Sequence, residues 1–400
     1  MKGMIKQMFS NGVIFFGCGA IATELYIKYK EQLHILFCLS NNSAESTFKL
    51  EDGAYVDVKR PEAKRDKKAT IIICSQQHKQ ISEQLMLLGY EPFADFIDHE
   101  TAEFLLNKKK IVLLYGFCHL RGIKDCLNQT AEFREEYQAV YLANYLPLDA
   151  YQQKQLLFLV KNCSVYLYGV EMEPQHARKN EAILANLNDG VLKIAVSAIF
   201  FGGYFPQTER IYNAANAYAV IAEGYPYMPF SYPDSFLNEC IRKNRKVEQA
   251  IEIIKERKVY QKDFLSEYLK KEWKMVRLQE KRGDLHILDY LKEHYKNRRL
   301  FRNETHMENE ILYEYTNQIL QRLGYRINSF SVKEPLLQCS QHPIYPETAD
   351  SLGLEWDVME EQLDLYTYGG WKKLNMLEYI QEYYETCSMM KQLKDKGYIP

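Results

Sequence analysis

Residues 12–30 read GVIFFGCGAIATELYIKYK, and this stretch decides the fold of the amino-terminal part of the chain. Its first five residues form an apolar run that is typical of a buried strand, and a helical pattern follows the glycines. The glycine-rich turn lies where a phosphate-binding loop needs it, because the free N–H groups at a helix start attract anions. The order of strand, glycine turn and helix therefore predicts a Rossmann-like α/β unit.

Four residues of this unit are candidates for nucleotide binding. Gly17 permits a tight turn, Gly19 lets a ligand approach the backbone, and Ala22 stands where a third glycine usually allows close packing of helix and strand. A second predicted strand, 33–39, leads to Asn41. An acidic residue at this kind of position holds the ribose hydroxyls in dinucleotide enzymes, whereas asparagine can hydrogen-bond without charge. Hydride transfer is not expected, because no second dehydrogenase signature is present.

Three further segments complete the predicted unit. Residues 69–75 predict a strand, residues 77–88 a helix that ends at Gly89, and residues 91–98 a short edge strand or turn. The arrangement resembles the small Rossmann-like amino-terminal domains of bacterial sugar-modifying enzymes. That resemblance implies a nucleotide-sugar or a related sugar as the ligand; the alternative is a scaffold that binds nothing.

The length of 400 residues predicts two or three domains. A lysine run at 108–110 precedes a new strand-turn-helix pattern, so we expect one domain at 1–107 and a second at 108–400. The expected fold class is α/β, with a small Rossmann-like domain followed by a larger, helix-rich α/β domain.

The composition excludes several classes of protein. Hydrophobic residues make up 46% and charged residues 26% of the chain, as in globular proteins, and the net charge of -2 gives no reason to expect nucleic acid. Nine cysteines are present, none in a C-x-x-C pair, and no signal peptide or long apolar run is found. We therefore expect reduced thiols, a cytoplasmic location, no transmembrane segment and no metal site.

The strand predicted at 111–116, IVLLYG, runs into the sequence FCHLRGIKDCL. Cys118 and His119 thus follow the carboxyl end of a strand on a turn that enters a helix, where α/β sheets bind ligands. A thiol at a helix start tends to have a lowered pKa, which favours the thiolate. A buried structural cysteine is the alternative.

Four segments resemble the WcbI-type family of capsular polysaccharide biosynthesis proteins. Gly116 and Cys118 match its Gly-Asn-Cys-Gln loop, while Phe117 and His119 depart from it. The other three segments lie in the family's order: IFFGGYFPQ at 199–207, RLFRNETHMENEILYEYTNQIL at 299–320 and HPIYPETADSLGLEW at 342–356. The resemblance implies a cytoplasmic bacterial enzyme that transfers an acetyl group from coenzyme A to a sugar hydroxyl of a surface polysaccharide.

Acyl transfer needs a base, an oxyanion site and, in some enzymes, a protein nucleophile. His306 is the candidate base, predicted at the start of a helix through Leu323, and Asn303 precedes it by three residues and can orient its ring. Cys118 either carries the acetyl group or lines the oxyanion site while the hydroxyl attacks the thioester directly; we favour direct attack. The two roles remain open from the residues alone.

Further residues are weaker candidates for ligand contacts. They are Gly116 and His119 in the loop, with His119 as a contact for ligand phosphate; Tyr204 and Gln207 for sugar or pantetheine; Arg277, Lys281 and Arg282 for coenzyme A phosphates; and Glu171 and Glu173 for a hydroxyl. Residues 371–397 predict one or two helices that serve packing or formation of a homo-oligomer.

Two other functions share these residues. An esterase-type hydrolase would use Cys118 and His306 with water as the acceptor. A non-catalytic scaffold that binds a nucleotide-sugar during glycan assembly would use neither. Binding of coenzyme A separates the acetyltransferase from both alternatives.

Overall fold

The computed structural model describes residues 8–395 apart from 43, 45, 65–68, 171–173, 209–231, 327–328, 331, 333 and 368. The first sheet has the strand order β3-β4-β2-β1-β5-β6, with every neighbouring pair parallel except β3 and β4. Its elements are β1 (Val13–Phe16), α1 (Ala20–Tyr29), β2 (Ile35–Leu39), β3 (Thr47–Lys49), β4 (Tyr55–Lys59), β5 (Thr70–Ile73), α2 (His78–Leu87), β6 (Phe96–Asp98) and α3 (His99–Leu106).

The predicted strand-turn-helix at the start of the chain is confirmed. All residues of β1 and β5 are buried, as central strands require. Gly17 joins β1 to α1 at a φ of +115°, and a Cβ there would lie 2.6 Å from the carbonyl oxygen of Cys74. Only glycine fits this turn between neighbouring strands. The edge strand at 96–98 and the helix that ends before Gly89 are confirmed as well.

The second sheet has the strand order β10-β9-β7-β8. Its strands alternate with helices along the chain, as expected for an α/β fold. The elements are β7 (Lys110–Gly116), α4 (Cys118–Leu127), α5 (Ala131–Glu136), β8 (Tyr137–Ala143), α6 (Ala150–Asn162), β9 (Cys163–Val170), α7 (Pro174–Leu184) and β10 (Leu192–Ser197).

The remainder is rich in helices and contains two short antiparallel hairpins. Its elements are α8 (Ser235–Arg242), α9 (Val247–Lys255), α10 (Lys262–Glu280), α11 (Leu288–His294), β11 (Phe301–Asn303), β12 (His306–Met307), α12 (Asn309–Arg322), α13 (Pro346–Leu352), β13 (Leu363–Thr367), β14 (Gly370–Leu374) and α14 (Met376–Asp395). The α/β fold class is thereby confirmed. No described helix has both the length and the apolarity needed to cross a bilayer.

Two helix predictions were wrong at their starts. The helix predicted from 371 begins at Met376, because residues 370–374 pair with β13 as a strand. The helix predicted at His306 begins at Asn309 instead. The Oδ1 atom of Asn303 accepts hydrogen bonds from the backbone N–H groups of Thr305 and His306, which closes a tight hairpin turn before the helix.

The described residues divide into two compact units built from separate stretches of chain. The first comprises Met1–Tyr115, Ala131–Leu167 and Glu173–Lys193, and the second comprises Gly116–Thr130, Tyr168–Met172 and Ile194–Pro400. In the first unit, Tyr151 packs with Phe93 and Phe96 in the core of the first sheet. The boundary between residues 107 and 108 stays a prediction.

Candidate functional site

The loop at Cys118 is shaped by two glycines. A Cβ at Gly116 would lie 2.7 Å from Leu120 Cδ1 and 2.9 Å from the backbone nitrogen of Gly169. A Cβ at Gly169 would lie 2.5 Å from the ring of Phe117. The two glycines therefore let the backbone segments approach closely and leave space for the Phe117 ring. Phe117 is extended and Cys118 is the first residue of α4, so the predicted turn into a helix is confirmed.

Helix α4 is held against α12. A Cβ at Gly122 would lie 2.6 Å from Leu312 Cδ1, and both residues are buried. Since α12 directly follows the β11–β12 hairpin, this close packing brings the start of α4 and the hairpin together. Residues far apart in sequence, at 118–119 and 303–306, are thus assembled within the second unit.

His119 connects α4 to the hairpin with one ring nitrogen. Its Nε2 lies 2.8 Å from the backbone oxygen of Thr305. A carbonyl oxygen can only accept, so Nε2 carries the hydrogen and Nδ1 is left as a bare acceptor. Nδ1 is buried and has no hydrogen-bond partner among the described residues. Burial lowers the pKa of His119 to about 4, so its ring is neutral at physiological pH.

The structure brings Asn303 and His306 together, and their roles in catalysis stay predictions. The Oδ1 atom of Asn303 lies 3.0 Å from His306 Nδ1, and Asn303 Nδ2 donates to the backbone oxygen of Ser340 at 3.1 Å. Since Oδ1 also accepts the hairpin N–H groups, the amide cannot be turned over. His306 Nδ1 must therefore donate, and Nε2 is the bare nitrogen that a general base requires.

The surroundings keep His306 uncharged. Burial lowers its pKa to about 3, and the nearby His119, Arg302 and His342 lower it further in the same direction. The rings of His119 and His306 are perpendicular, with 6.4 Å between their centres. The site thus holds two neutral imidazoles, each with one unprotonated nitrogen.

Two buried arginines, which the sequence did not single out, anchor the hairpin. Arg302 pairs with Asp364 at 3.0 Å and Glu308 at 3.4 Å, and its Nε donates to the backbone oxygen of Cys339. Arg299 binds both carboxylate oxygens of Glu361, at 2.7 and 3.0 Å. Apart from Glu308, these partners lie 37 to 62 residues away along the chain, so a local pattern could not have indicated the full set of contacts.

The expected pKa of Cys118 was wrong in direction. Burial raises the pKa of its thiol to about 11, and this outweighs the opposing effects of the backbone N–H groups at positions 118 and 119 and of Arg121. The thiol is therefore protonated at neutral pH and a poor nucleophile. Cys339 lies close to Cys118, and a thiolate at Cys118 would raise the pKa of the Cys339 thiol. Asn303 Nδ2 donates to the Cys339 sulfur at 3.6 Å.

The candidates at 204 and 207 serve the protein's own packing. Both are buried; Tyr204 donates its hydroxyl to the backbone oxygen of Tyr295 at 2.7 Å, and Gln207 Nε2 donates to the backbone oxygen of Pro343 at 2.7 Å. The Tyr204 hydroxyl hydrogen and the Gln207 Nε2 group are therefore already used in hydrogen bonds within the protein. The roles of both residues in ligand contact stay predictions.

The basic residues predicted to bind coenzyme A phosphates make no hydrogen bond to the Cys118 loop within the described ranges. Arg277, Lys281 and Arg282 are exposed at the end of α10. Their contact with coenzyme A phosphates stays a prediction. Glu171 and Glu173 lie outside the described residues.

In the first unit, the nucleotide-binding candidates differ in how open they are. Gly17 packs on Cys74, Ala22 is buried, and Gly19 precedes α1 with open space around it. Asn41 exchanges two amide hydrogen bonds with Gln84, at 2.9 and 3.0 Å. Binding of a nucleotide-sugar stays a prediction. Within the described part of the chain, no group of three or more His, Cys, Asp or Glu side chains is placed to hold a metal ion.

Comparisons with known proteins found a family model and a solved structure that match the chain. The model of the family described as polysaccharide biosynthesis enzyme WcbI matches residues 111–328, which include Cys118, Asn303 and His306. A solved structure of WcbI, described as a novel polysaccharide biosynthesis enzyme and as native protein without a disulfide bond between coenzyme A and one of its cysteines, has a TM-score of 0.57. It is 17% identical, and the alignment covers 70% of this chain and 89% of that one, so it shows a shared fold. No curated protein matches the chain.

Proposed function

The chain belongs to the WcbI family of polysaccharide biosynthesis enzymes, and on that basis we propose that it transfers the acetyl group of acetyl-CoA to a sugar hydroxyl of a surface polysaccharide. Family membership gives the role in polysaccharide biosynthesis. The acyl transfer, its donor and its acceptor are the proposal, and the geometry around His306 is what supports them.

His306 carries the proposal as the general base. Asn303 Oδ1 accepts the hydrogen of Nδ1, so Nε2 is free to take a proton. Nε2 removes the proton of the sugar hydroxyl while that oxygen attacks the thioester carbonyl. The carbon–sulfur bond then breaks, and His306 returns the proton to the departing thiolate. The ring is neutral both before and after this cycle, so no other proton source is needed.

Cys118 fits a supporting role better than a covalent one. Its thiol lies at the start of α4 and is protonated at neutral pH because burial raises its pKa to about 11. Direct attack on the thioester avoids forming a buried thiolate. Because the solved WcbI structure is described by the absence of a disulfide bond between coenzyme A and one of its cysteines, we infer that the sulfur of coenzyme A approaches Cys118 here. The neighbouring His119 has a buried Nδ1 with no hydrogen-bond partner among the described residues.

The reducing environment of the cytoplasm suits this chemistry. All nine cysteines fall within the described residues, and no disulfide joins any of them. We place the reaction in the cytoplasm, where the thiols stay reduced.

Transfer of radiolabelled acetyl from acetyl-CoA to bacterial glycan extracts tests the proposal. We expect His306→Gln to lower the rate about 100- to 10,000-fold, because a positioned base contributes that much. The matched control is His78→Gln, an exposed histidine at the start of α2.

Three results would contradict this function. They are an unchanged rate in His306→Gln, no binding of coenzyme A by calorimetry, and acetate release without any acetylated product. The last result would instead identify a hydrolase.

A further inference from the structure

Thr305 lies between the two histidines of the candidate site and contacts both. Its backbone oxygen accepts the Nε2 hydrogen of His119, and its Oγ1 lies 3.0 Å from His306 Nδ1. The two rings are held in opposite tautomers, because Thr305 O accepts from Nε2 of His119 and Asn303 Oδ1 accepts from Nδ1 of His306. His119 keeps a bare Nδ1, and His306 keeps a bare Nε2. One short hairpin thus prepares two acceptors on neighbouring rings.

The bare nitrogen of His119 has no partner within the described residues, although the side chain is only 1% exposed. Buried polar groups are nearly always hydrogen-bonded, so an exception needs an explanation. The rings of Phe117 and Phe200 flank His119 edge-on, with 5.2 and 6.3 Å between ring centres, and they offer no strong donor. Nδ1 therefore receives a donor from none of the described side chains, and a donor from a ligand would complete its hydrogen bonding.

The chemistry of this nitrogen selects the kind of donor. A neutral imidazole nitrogen presents a lone pair, which repels the oxygens of a phosphate and attracts an O–H group. The phosphate contact predicted for His119 from the sequence therefore does not suit the tautomer. A sugar hydroxyl suits it well.

We propose that His119 Nδ1 accepts a hydrogen bond from a second hydroxyl of the acceptor, so that the enzyme selects a vicinal diol. This rests on the proposed acetyl transfer. His306 takes the proton of the hydroxyl that is acetylated, and His119 holds the hydroxyl next to it. The acceptor class is a sugar ring with two neighbouring free hydroxyls, in which a deoxy position or a substituted neighbour is disfavoured.

Two small alcohols test the preference for a vicinal diol without knowledge of the natural acceptor sugar. Acetyl transfer from acetyl-CoA is measured with ethane-1,2-diol and with ethanol as acceptors. Corrected for its two hydroxyls, the diol should react about two- to tenfold more efficiently, as one hydrogen bond predicts. A ratio of about one in the wild-type chain would overturn the proposal.

Two amide variants separate the two ring nitrogens of His119. The amide of His119→Asn places its oxygen near the position of Nδ1, so the preference for the diol should persist. The amide of His119→Gln reaches the position of Nε2 and keeps the bond to Thr305, so the ratio should fall to about one. Equal ratios in the two variants would count against the role of Nδ1.

A spectroscopic measurement decides the assignment even if no transfer is seen. In the full-length chain labelled with ¹⁵N, the Nδ1 resonance of His119 should move with ethane-1,2-diol and much less with ethanol. A response to the diol without any acetyl transfer would support the binding role and would remove the proposed reaction instead. An Nδ1 signal that already shows a hydrogen bond and ignores both alcohols would indicate a structural water, and the proposal would fail.

Discussion

Asn303 controls the candidate site at the scale of a single residue. It is only 2% exposed, and its amide group is fully used: the oxygen faces the hairpin N–H groups and His306, and the nitrogen donates to Ser340. An amide leaves His306 neutral, whereas a carboxylate at the same place would favour the imidazolium. The choice of Asn over Asp therefore sets the protonation state of the base.

The variant Asn303→Asp should move the pH dependence of the reaction. In the wild-type chain, the pKa of His306 is about 3, so kcat/KM should show no acid limb between pH 5 and 7. The new carboxylate should raise the pKa of His306 by about 1 to 3 pH units, because a neighbouring negative charge stabilises the imidazolium. As the pH is lowered, the activity of the variant should therefore begin to fall at a higher pH than the activity of the wild type.

Asn303→Ala serves as the control for this experiment. It removes the orienting oxygen without adding charge, so the rate should fall without an upward shift of the acid limb. Superimposable pH profiles for wild type and Asn303→Asp would rule out this account of His306.

Three histidines with lowered pKa values should make the fold sensitive to mild acid. Burial lowers the pKa of His119 to about 4 and those of His306 and His342 to about 3. In the unfolded chain, each histidine has a pKa of about 6.5, so below that pH the unfolded chain binds more protons than the folded one. Each histidine should then cost about 1.4 kcal/mol of unfolding free energy per pH unit as the pH falls from roughly 6 to 4.

Urea unfolding at several pH values measures this dependence. The variant His342→Gln lacks one titrating group, so its free energy of unfolding should fall less steeply between pH 6 and 4. Equal slopes in the two proteins would show that His342 titrates normally when folded.

At the scale of elements, the contact between α4 and α12 has almost no spare room. The variant Gly122→Ala places a methyl group 2.6 Å from Leu312 Cδ1, so the Leu312 side chain or one of the helices must shift. Overpacking of this kind costs about 1–3 kcal/mol in unfolding free energy. Because α4 carries Cys118 and His119, activity should fall together with stability.

A double-mutant cycle isolates this contact. Leu312→Ala alone should cost about 2–5 kcal/mol, because the side chain is fully buried. The double variant Gly122→Ala/Leu312→Ala should be more stable than the sum of the single changes predicts, since the new methyl group enters the vacated space. Strict additivity would mean that the two positions do not compete for volume.

Much of this architecture follows from local sequence patterns, and the remainder depends on distant contacts. The turns at Gly17 and Cys118, and the pairing of Asn303 with His306, were predictable because the deciding residues lie within a few positions of each other. The β13–β14 hairpin pairs residues as close in sequence as Thr367 and Gly370, so its signal was local and was missed. The anchoring of Arg302 and Arg299 was not predictable, because Cys339, Glu361 and Asp364 lie 37 to 62 residues away from the arginines that they contact. The pKa of Cys118 was misjudged for the same reason: local position favours the thiolate, but burial opposes it more strongly.

At the scale of the whole molecule, Tyr151 connects separate stretches of the first unit. Its hydroxyl donates to the carboxylate of Asp98 at 2.5 Å and accepts the backbone N–H of the same residue at 2.9 Å. Tyr151→Phe leaves both groups buried without this partner. We expect a loss of about 1–3 kcal/mol in the free energy of unfolding, measured in urea.

A fragment of residues 1–107 tests the predicted domain boundary in the same region. It lacks Tyr151 and Phe158, whose rings cover Phe93 in the full chain. The fragment should bind the dye ANS and unfold without cooperativity, whereas the full chain should not bind the dye. A fragment that unfolds cooperatively and leaves the dye unbound would support the boundary after residue 107.

The interleaved stretches of the first unit also set an order of events during synthesis. The unit begins at Met1 but is completed only by Glu173–Lys193, and part of the second unit, Gly116–Thr130, leaves the ribosome in between. The early sheet must therefore wait, with part of its apolar surface uncovered, until nearly half of the chain has been made. The nascent protein has an interval in which chaperones have a surface to bind, and slow translation before residue 193 would lengthen it.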